Sequence, residues 1–452
     1  MKKFSDGIIL STPSPNVFYD YAMQFNNVYV FAVRAGADNE FLDPNKFYNL
    51  DNILSDEELN LIRYNQASVE NHPDWLTILK KSNKRVLFQK QSTLTQELKL
   101  KYNLNILNNE LETQEYLENK VNFRKLIKQY SFCPKTQTIS KENLLQKTYQ
   151  EYQFNKFVIQ GDCTSGGNGT YFIFSESDYN LTLDKIKEEE YREYIVTEYI
   201  EGETMAAIGI NYRNGTVVTS PYNQIIGNRN LVLGEISNLD INGKFMGNSI
   251  PNKHILSNKI IEYIQSIGGI LNKQFNYKGI FGVDFIITKD QEIKIIECNP
   301  RITGAFPVID MFYSNVGIPS PLSLHIKEFI GENDLDYKYI QKLYINRDSC
   351  SISQIIFCID KNLFVDKILP QQNIKPGLYN ISEDEIIKQS NSLKFENKNK
   401  NEFIVSEIPI SLTKLGKRER VARIIFSWEY NDKDHNTQKI INWIKEGFIL
   451  PE

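Results

Sequence analysis

The sequence predicts a mixed α/β fold of the α+β kind, divided into several lobes, and three observations carry that prediction. A chain of 452 residues exceeds what one ordinary hydrophobic core organises, so two to four domains are expected. Residues 1–111 alternate short β-like runs with polar or helical stretches. From about 134 to 330, strand-like runs come in pairs, interrupted by one long amphipathic helix.

Composition narrows the class. Hydrophobic residues make up 41% and charged residues 24%, ordinary for a chain that folds. A formal charge of −4 gives no basic field, so nucleic acid is not expected as a partner. The run Gly7-Ile8-Ile9-Leu10 behind Lys2 and Lys3 is too short for a signal-peptide core. No run approaches the roughly 20 apolar residues of a membrane span. A cytoplasmic protein without a membrane partner is therefore expected. Cysteines 133, 163, 298, 350 and 358 form no CxxC pair, which fits a reducing compartment and ordinary thiols.

The elements follow in order. Ile8–Leu10, Val28–Val33 and Val86–Phe88 read as strands, and Asp56–Tyr64 and Trp75–Lys80 as helices, of a small domain over 1–111. No GxGxxG follows a strand there, so a dinucleotide site is unsupported. One helix is predicted from Thr113, as cap, to Tyr130, with Leu117, Val121, Leu126 and Ile127 on its apolar stripe. A second runs from about His254 to Phe275, burying Ile260, Ile261, Ile264, Ile267 and Leu271. This central domain covers 112–330. A C-terminal mixed extension, 331–452, has strand signals at 354–359, 403–405 and 421–427, and an exposed loop over Glu396–Glu402.

Three segments carry chemistry. In the first, Gly166, Gly167 and Gly169 lie between two β-like runs within Lys156–Phe174, with Thr164, Ser165 and Thr170 beside them. Glycines let backbone N–H groups approach a phosphate and hydroxyls add donors. A P-loop or Rossmann turn would open a helix, and this loop does not. A long hairpin turn is the other reading.

The second segment, Ile195–Met205, is a strand ending in a Glu-Gly turn and rich in carboxylates. Those acids suit either adenine and ribose groups or a solvated strand end.

The third is Gly279–Gly304, two strands around a short polar turn. With Asp290 and Gln291 as the two central turn residues, Asp284 falls opposite Glu297. Their Cβ atoms would then lie about 4.5–5.5 Å apart, with Asn299 on the same face. Opposed like charges need a cation, and Mg²⁺ suits carboxylate, amide and phosphate oxygens, with Mn²⁺ as an alternate occupant. A turn one residue different would separate the pair. Arg301 follows at once, offering a fork of donors to phosphate charge or forming a surface ion pair.

In this order and spacing, the three segments resemble the ATP-grasp superfamily over about residues 113–330. The resemblance implies ATP held between two lobes, the glycine loop closing over its phosphates and strand 195–200 lining adenine. It implies Glu198, Tyr199 and Ile200 at the adenine, Glu203 on the ribose, and Asp284, Glu297 and Asn299 on the metal. Lys120 matches one of two lysines that many members place on the nucleotide phosphates. At the second position this chain has Gln160, a departure that removes a positive charge, so that either a neighbouring cation such as Lys156 or Arg229 substitutes or nucleotide binding is weaker than usual. Arg301 and Asn299, with Arg229 from the glycine-rich stretch Pro221–Pro251, are the implied catalytic groups. That stretch reads equally as a mobile lid or a connecting segment.

What the resemblance implies is acyl-phosphate formation on a small carboxylate and capture by an amine, releasing ADP and phosphate. Glutamine at 160 points to the peptide and natural-product branch, with an amino acid or peptide as substrate, carrier-bound or free, and a homodimer left open. A carboxylase or acid–thiol ligase, or a silent nucleotide-binding module, are the alternatives. Histidines 72, 254, 325 and 435 lie outside all three segments, which gives no support to His-based or zinc chemistry. Cys163 and Cys298 lie inside motifs without a base partner.

Overall fold

A computed structural model describes residues 7–62, 65–164, 166–167, 169–234, 243–252, 257–332, 335–346, 350–359, 369–370, 374–383, 385–395, 401–410 and 420–449. Ser165 and His254 lie outside these described residues, as do Lys398 and Lys400.

The N-terminal region is a five-stranded sheet of β1 (Ile8–Thr12), β2 (Val28–Ala32), β3 (Phe47–Asn49), β4 (Arg85–Phe88) and β5 (Asn105–Ile106), in the order β3-β2-β1-β4-β5. All four pairings are parallel. Parallel strands are covered on both faces, so they read as continuous apolar runs. Accordingly Ile8, Ile9 and Leu10 are all fully buried, Ile9 against Trp75 and Ile78, and Ile8 and Leu10 against the opposite layer.

A four-stranded antiparallel sheet follows, built from β6 (Thr136–Ser140), β7 (Phe157–Gly161), β8 (Thr170–Ile173) and β9 (Glu193–Glu198), ordered β6-β9-β7-β8. Strand alternation sorts its faces. Phe157 and Ile159 enter the core with Tyr179 and Ile186 of helix Glu176–Glu188, which turns Val158 and Gln160 to the other face.

The largest sheet contains β10 (Gly202–Tyr212), β11 (Gly215–Val218), β12 (Tyr222–Ile226), β13 (Val232–Leu233), β14 (Phe245–Ile250), β15 (Gly279–Thr288) and β16 (Ile293–Asn299). It continues through β17 (Ile352–Ile359), while β18 (Leu369–Pro370) lies apart, paired with the short strand Phe448–Ile449. The remaining members are β19 (Gly377–Ile381), β20 (Ile386–Ser390), β21 (Glu402–Ser406) and β22 (Arg420–Phe426). The order is β16-β15-β10-β12-β14-β17-β22-β21-β19-β20, with β11 on β10 and β13 on β17. Because β14 pairs with β17, the C-terminal strands extend the sheet that carries the third sequence segment. Glu402, expected in an exposed loop, opens β21 and is 3% exposed, since its strand is held between β19 and β22.

The predicted helix 113–130 is instead two, Leu111–Glu118 and Lys120–Ile127, broken at Asn119. Asn119 takes an extended conformation and its side chain accepts from the Asn122 N–H. That local bond offers the backbone an alternative to a continuous helix. The long helix is observed over Ser257–Phe275, with Ile260, Ile264, Ile267 and Leu271 against the back of β15 and β10. Among the described residues no helix is long and apolar enough to cross a membrane.

Candidate active site

The acidic pair forms, by a route that differs from the predicted one. The turn between β15 and β16 holds three residues, Lys289–Gln291, with Gln291 at φ +64°. Thr288 N donates to Glu292 O and Gln291 N to Thr288 O, each at 2.9 Å. That register puts Ile287 opposite Ile293 and Phe285 opposite Ile295, and continued unbroken it would bring Ile296, not Glu297, to Asp284. A β-bulge at Ile296 absorbs one residue, so that Asp284 faces Glu297 and Gly282 faces Asn299. Ile296 and Glu297 consequently both look into the cleft, while Ile295 and Cys298 are buried behind them.

Around the pair every oxygen has a neighbour. Asn299 Nδ2 donates to Asp284 Oδ2 at 3.2 Å and to Glu297 Oε1 at 3.3 Å. Gln224 Nε2 on β12 donates to Asp284 Oδ1 at 3.0 Å. Lys120 Nζ lies 2.6 Å from Glu297 Oε2 and is only 5% exposed. Burial, then the charge of Glu297, pushes the Asp284 carboxyl well above the usual range. Burial works the same way on Glu297, but the ion pair with Lys120 outweighs it and holds that carboxyl at about 2. Two carboxylates and an amide suit a hard cation that fills its remaining positions with phosphate and water.

The break at Asn119 places Lys120 in the first turn of its helix. Lys120 N donates to Asp162 O at 2.8 Å and Lys120 Nζ to Thr164 O at 3.0 Å. This fixes the start of the glycine loop beside the acidic pair. Gly166, Gly167 and Gly169 all take positive φ, +63°, +80° and +58°, which L side chains adopt at a cost. A Cβ on Gly167 would stand 2.2 Å from the carbonyl of Gly243, so two loops meet backbone to backbone there. Gln160 donates to Thr170 Oγ1 at 3.2 Å.

These groups face a cleft of about 540 Å³ between the four-stranded and largest sheets. Glu198, Tyr199 and Ile200 form part of its wall. Glu198 Oε1 accepts from Lys135 N, and Tyr199 N donates to Lys156 O, both at 3.0 Å.

Residues 117–305 match the model of an ATP-grasp domain. The chain thus contains an ATP-grasp domain.

An uncharacterized protein of Methanocaldococcus jannaschii is 28% identical over 271 residues, 60% of each chain. The D-alanine–D-alanine ligase of Petrotoga mobilis is 27% identical over 179 residues, 39% of this chain and 55% of the ligase. The chain thus spans between half and two thirds of these relatives' lengths. Among solved structures, phosphoribosylamine–glycine ligase from Thermotoga maritima superposes with a TM-score of 0.58 at 14% identity, covering 98% of this chain and 96% of that one. The biotin carboxylase domain dimer of the Hydrogenobacter thermophilus 2-oxoglutarate carboxylase, crystallised with MgADP and bicarbonate, gives 0.60 at 10% identity, covering 100% and 91%. At such identities these structures show the shared fold.

Not every residue named from sequence reaches the ATP-grasp cleft. Glu203 pairs with Ile287 on β15 and shares its face with Met205, on the side packed against the long helix. Alternation sends Thr204 into the cleft wall instead. Arg229 sits exposed on a 3-10 turn anchored by buried Leu231, and Lys156 lies over the ring of Phe174; neither lines the cleft. The second-lysine position therefore has no replacement from those two. Arg301 does line it, held by Glu118 at 2.7 Å, and Glu118 in turn by Lys90 at 3.0 Å. Sequence reasoning missed Gln224, Glu118 and Arg420, because no motif or local spacing ties them to the hairpin.

Among the described residues no cysteine or histidine lines this cleft. Burial pushes the thiols of Cys163 and Cys298 upward, keeping them protonated. His325 is driven down to about 4 by burial and joins Leu107 O, at 2.7 Å, to Ile280 N, at 3.0 Å.

Proposed function

We propose that the chain is an ATP-dependent carboxylate–amine ligase working through an acyl phosphate. The observation that carries this reading is the acidic pair with Asn299, bridged to Lys120 beneath the glycine loop and followed at once by Arg301. Asp284, Glu297 and Asn299 would hold Mg²⁺, which when bound neutralises charge on the phosphates of ATP. Lys120 and the loop from Thr164 to Thr170 hold and orient the triphosphate. Glu198, Tyr199 and Ile200 bound the adenine end. Arg301 meets charge on the transferred phosphoryl group, and Glu118 keeps its guanidinium aimed. A substrate carboxylate oxygen attacks the γ-phosphorus, the bond to the β,γ-bridging oxygen breaks and ADP leaves. An amine then attacks the acyl carbon, phosphate departs, and an amide forms. Positioning and charge neutralisation account for most of such catalysis.

The likeness to a D-alanine–D-alanine ligase supports an amino acid or short peptide as the acid. Incubation with ATP, Mg²⁺ and pooled amino acids and dipeptides, with condensed products read by mass spectrometry, tests this. ADP and phosphate in step with a product lighter by one water are expected; AMP and pyrophosphate would contradict the mechanism. The fold likeness to a carboxylase crystallised with bicarbonate favours a second reading, with bicarbonate as the acid. It predicts ADP release that depends on bicarbonate without any amino acid.

A further inference from the structure

Four cationic side chains line the cleft among the described residues, Lys120, Arg124, Arg301 and Arg420. Three are engaged. Lys120 pairs with Glu297, Arg301 with Glu118, and Arg124 donates to the Ile295 carbonyl. Arg420 is exposed, and among the described residues its side chain has neither a hydrogen bond nor an ion pair. Glu407 feels its charge but is paired with buried Arg423 at 3.0 Å.

A β-bulge aims this arginine. On β22, Ile424 and Ala422 face one core, while Ile425 and Arg423 face the other side. Strict alternation would send Val421 to that second side and Arg420 away from it. The β17–β22 register instead slips between Phe357 and Cys358, pairing Ala422 with Phe357 and Arg420 with Cys358. Val421 therefore packs with Ala422 and Ile424, and Arg420 swings to the cleft. Arg423, whose guanidinium bonds Gln354 and the Gly304 carbonyl, anchors the strand three residues away.

The surroundings suit an anion. Arg420 Nη2 and the ring of Phe245 each lie 3.4 Å from where a Cβ on Gly304 would stand, so the absence of a side chain at 304 keeps space open before the guanidinium. Neighbouring wall residues Tyr222, Phe245, Thr303 and Ala305 carry no charge at neutral pH. Gly304 lies three residues past Arg301. A planar fork of donors matches a carboxylate in two parallel hydrogen bonds. We infer that Arg420, supplied by the C-terminal region, is the specificity residue that binds the carboxylate of the acid substrate. This inference rests on the ligase reading above.

The test uses the full chain loaded with Mg²⁺ and the non-hydrolysable analogue AMP-PNP. Saturation-transfer NMR is recorded with the twenty common amino acids and with their C-terminal amides, and AMP-PNP affinity is measured by calorimetry. Wild type should show transfer to at least one free amino acid and none to its amide. Arg420→Ala should weaken that amino acid at least tenfold while changing AMP-PNP affinity less than twofold, which also reports an intact fold. Arg420→Lys, keeping charge but not the fork, should fall between. A tenfold loss of AMP-PNP affinity in Arg420→Ala would assign the arginine to the nucleotide phosphates and overturn the inference. Unchanged amino-acid binding in that variant, or no carboxylate-dependent transfer in wild type that binds AMP-PNP, overturns it too. Failure of wild type to bind AMP-PNP removes the ligase reading itself, and this inference with it.

Discussion

Replacing the two facing carboxylates one at a time should give opposite stability effects in the metal-free protein. Glu297 has its carboxyl lowered from 4.5 to about 2, so its contribution is fully present above the unfolded pKa and is lost as pH falls toward 2. A displacement of that size corresponds to about 3 kcal/mol at neutral pH. An independent route gives the same scale, since Glu297→Gln strands Lys120, 5% exposed, without its counter-charge, and breaking a buried pair costs about 3–5 kcal/mol. Asp284 runs the other way. With its carboxyl raised, the stability it contributes belongs to low pH and is lost as pH rises through the folded value. Asp284→Asn removes that penalty and retains an oxygen for Gln224, so it should change stability by less than about 1 kcal/mol or increase it. Urea unfolding at pH 7 and pH 5 with EDTA present measures both variants. Destabilisation should be about 3 kcal/mol for Glu297→Gln at both pH values, since both lie above the unfolded pKa, with Asp284→Asn close to wild type. Equal losses, or a larger loss in Asp284→Asn, would refute the assignment of Lys120 to Glu297. Both variants should nevertheless lose the turnover proposed for the chain.

Three further outcomes follow from the site. Gly167→Ala meets both its left-handed backbone and the Gly243 carbonyl, whereas Gly166→Ala, at φ +63°, has nothing within 4 Å. Release of a fluorescent ATP analogue in stopped flow should quicken about tenfold in the first and about twofold or less in the second, on a strain of about 1 kcal/mol; equal rates would dismiss the loop contact. Asn119→Ala removes a cap worth about 1 kcal/mol and loosens the turn that carries Lys120. It should raise the KM for ATP, with Asn119→Asp restoring it, and identical kinetics in both would argue against the break as a positioning device. Gln160→Lys adds a cation facing the cleft and should tighten ATP binding about tenfold, about 1.4 kcal/mol, by calorimetry; weaker binding would show that the amide at 160 makes a needed contact.

How much of this site could be read in advance depends on which forces are local. Phe157, Val158 and Ile159 form one continuous β-like run, so the strand leading into the glycine loop was legible in sequence, whereas which of them faces the core was decided by the sheet. The acidic pair was legible as a pair, yet the turn was one residue longer than expected and the bulge at Ile296 restored the register. Both deviations are backbone irregularities that leave no mark in hydropathy. The helix expected over 113–130 shows the same limit, because a favourable apolar stripe continues across Asn119 while one side-chain hydrogen bond ends the helix.

The sequence by itself determined the mixed α/β class, the glycine loop and the carboxylate hairpin, and the order of three segments over about residues 113–330 carried the ATP-grasp resemblance, because within each segment spacing and chemistry coincide locally. Tertiary structure alone decided that Lys120 neutralises Glu297, that Thr204 rather than Glu203 faces the cleft, and that Gln224 and Arg420 join it. Those contacts cross between strands far apart in the chain, Gln224 to Asp284 over 60 residues. Their geometry hangs on sheet order and on single-residue bulges, which packing of the whole sheet selects and no local pattern encodes.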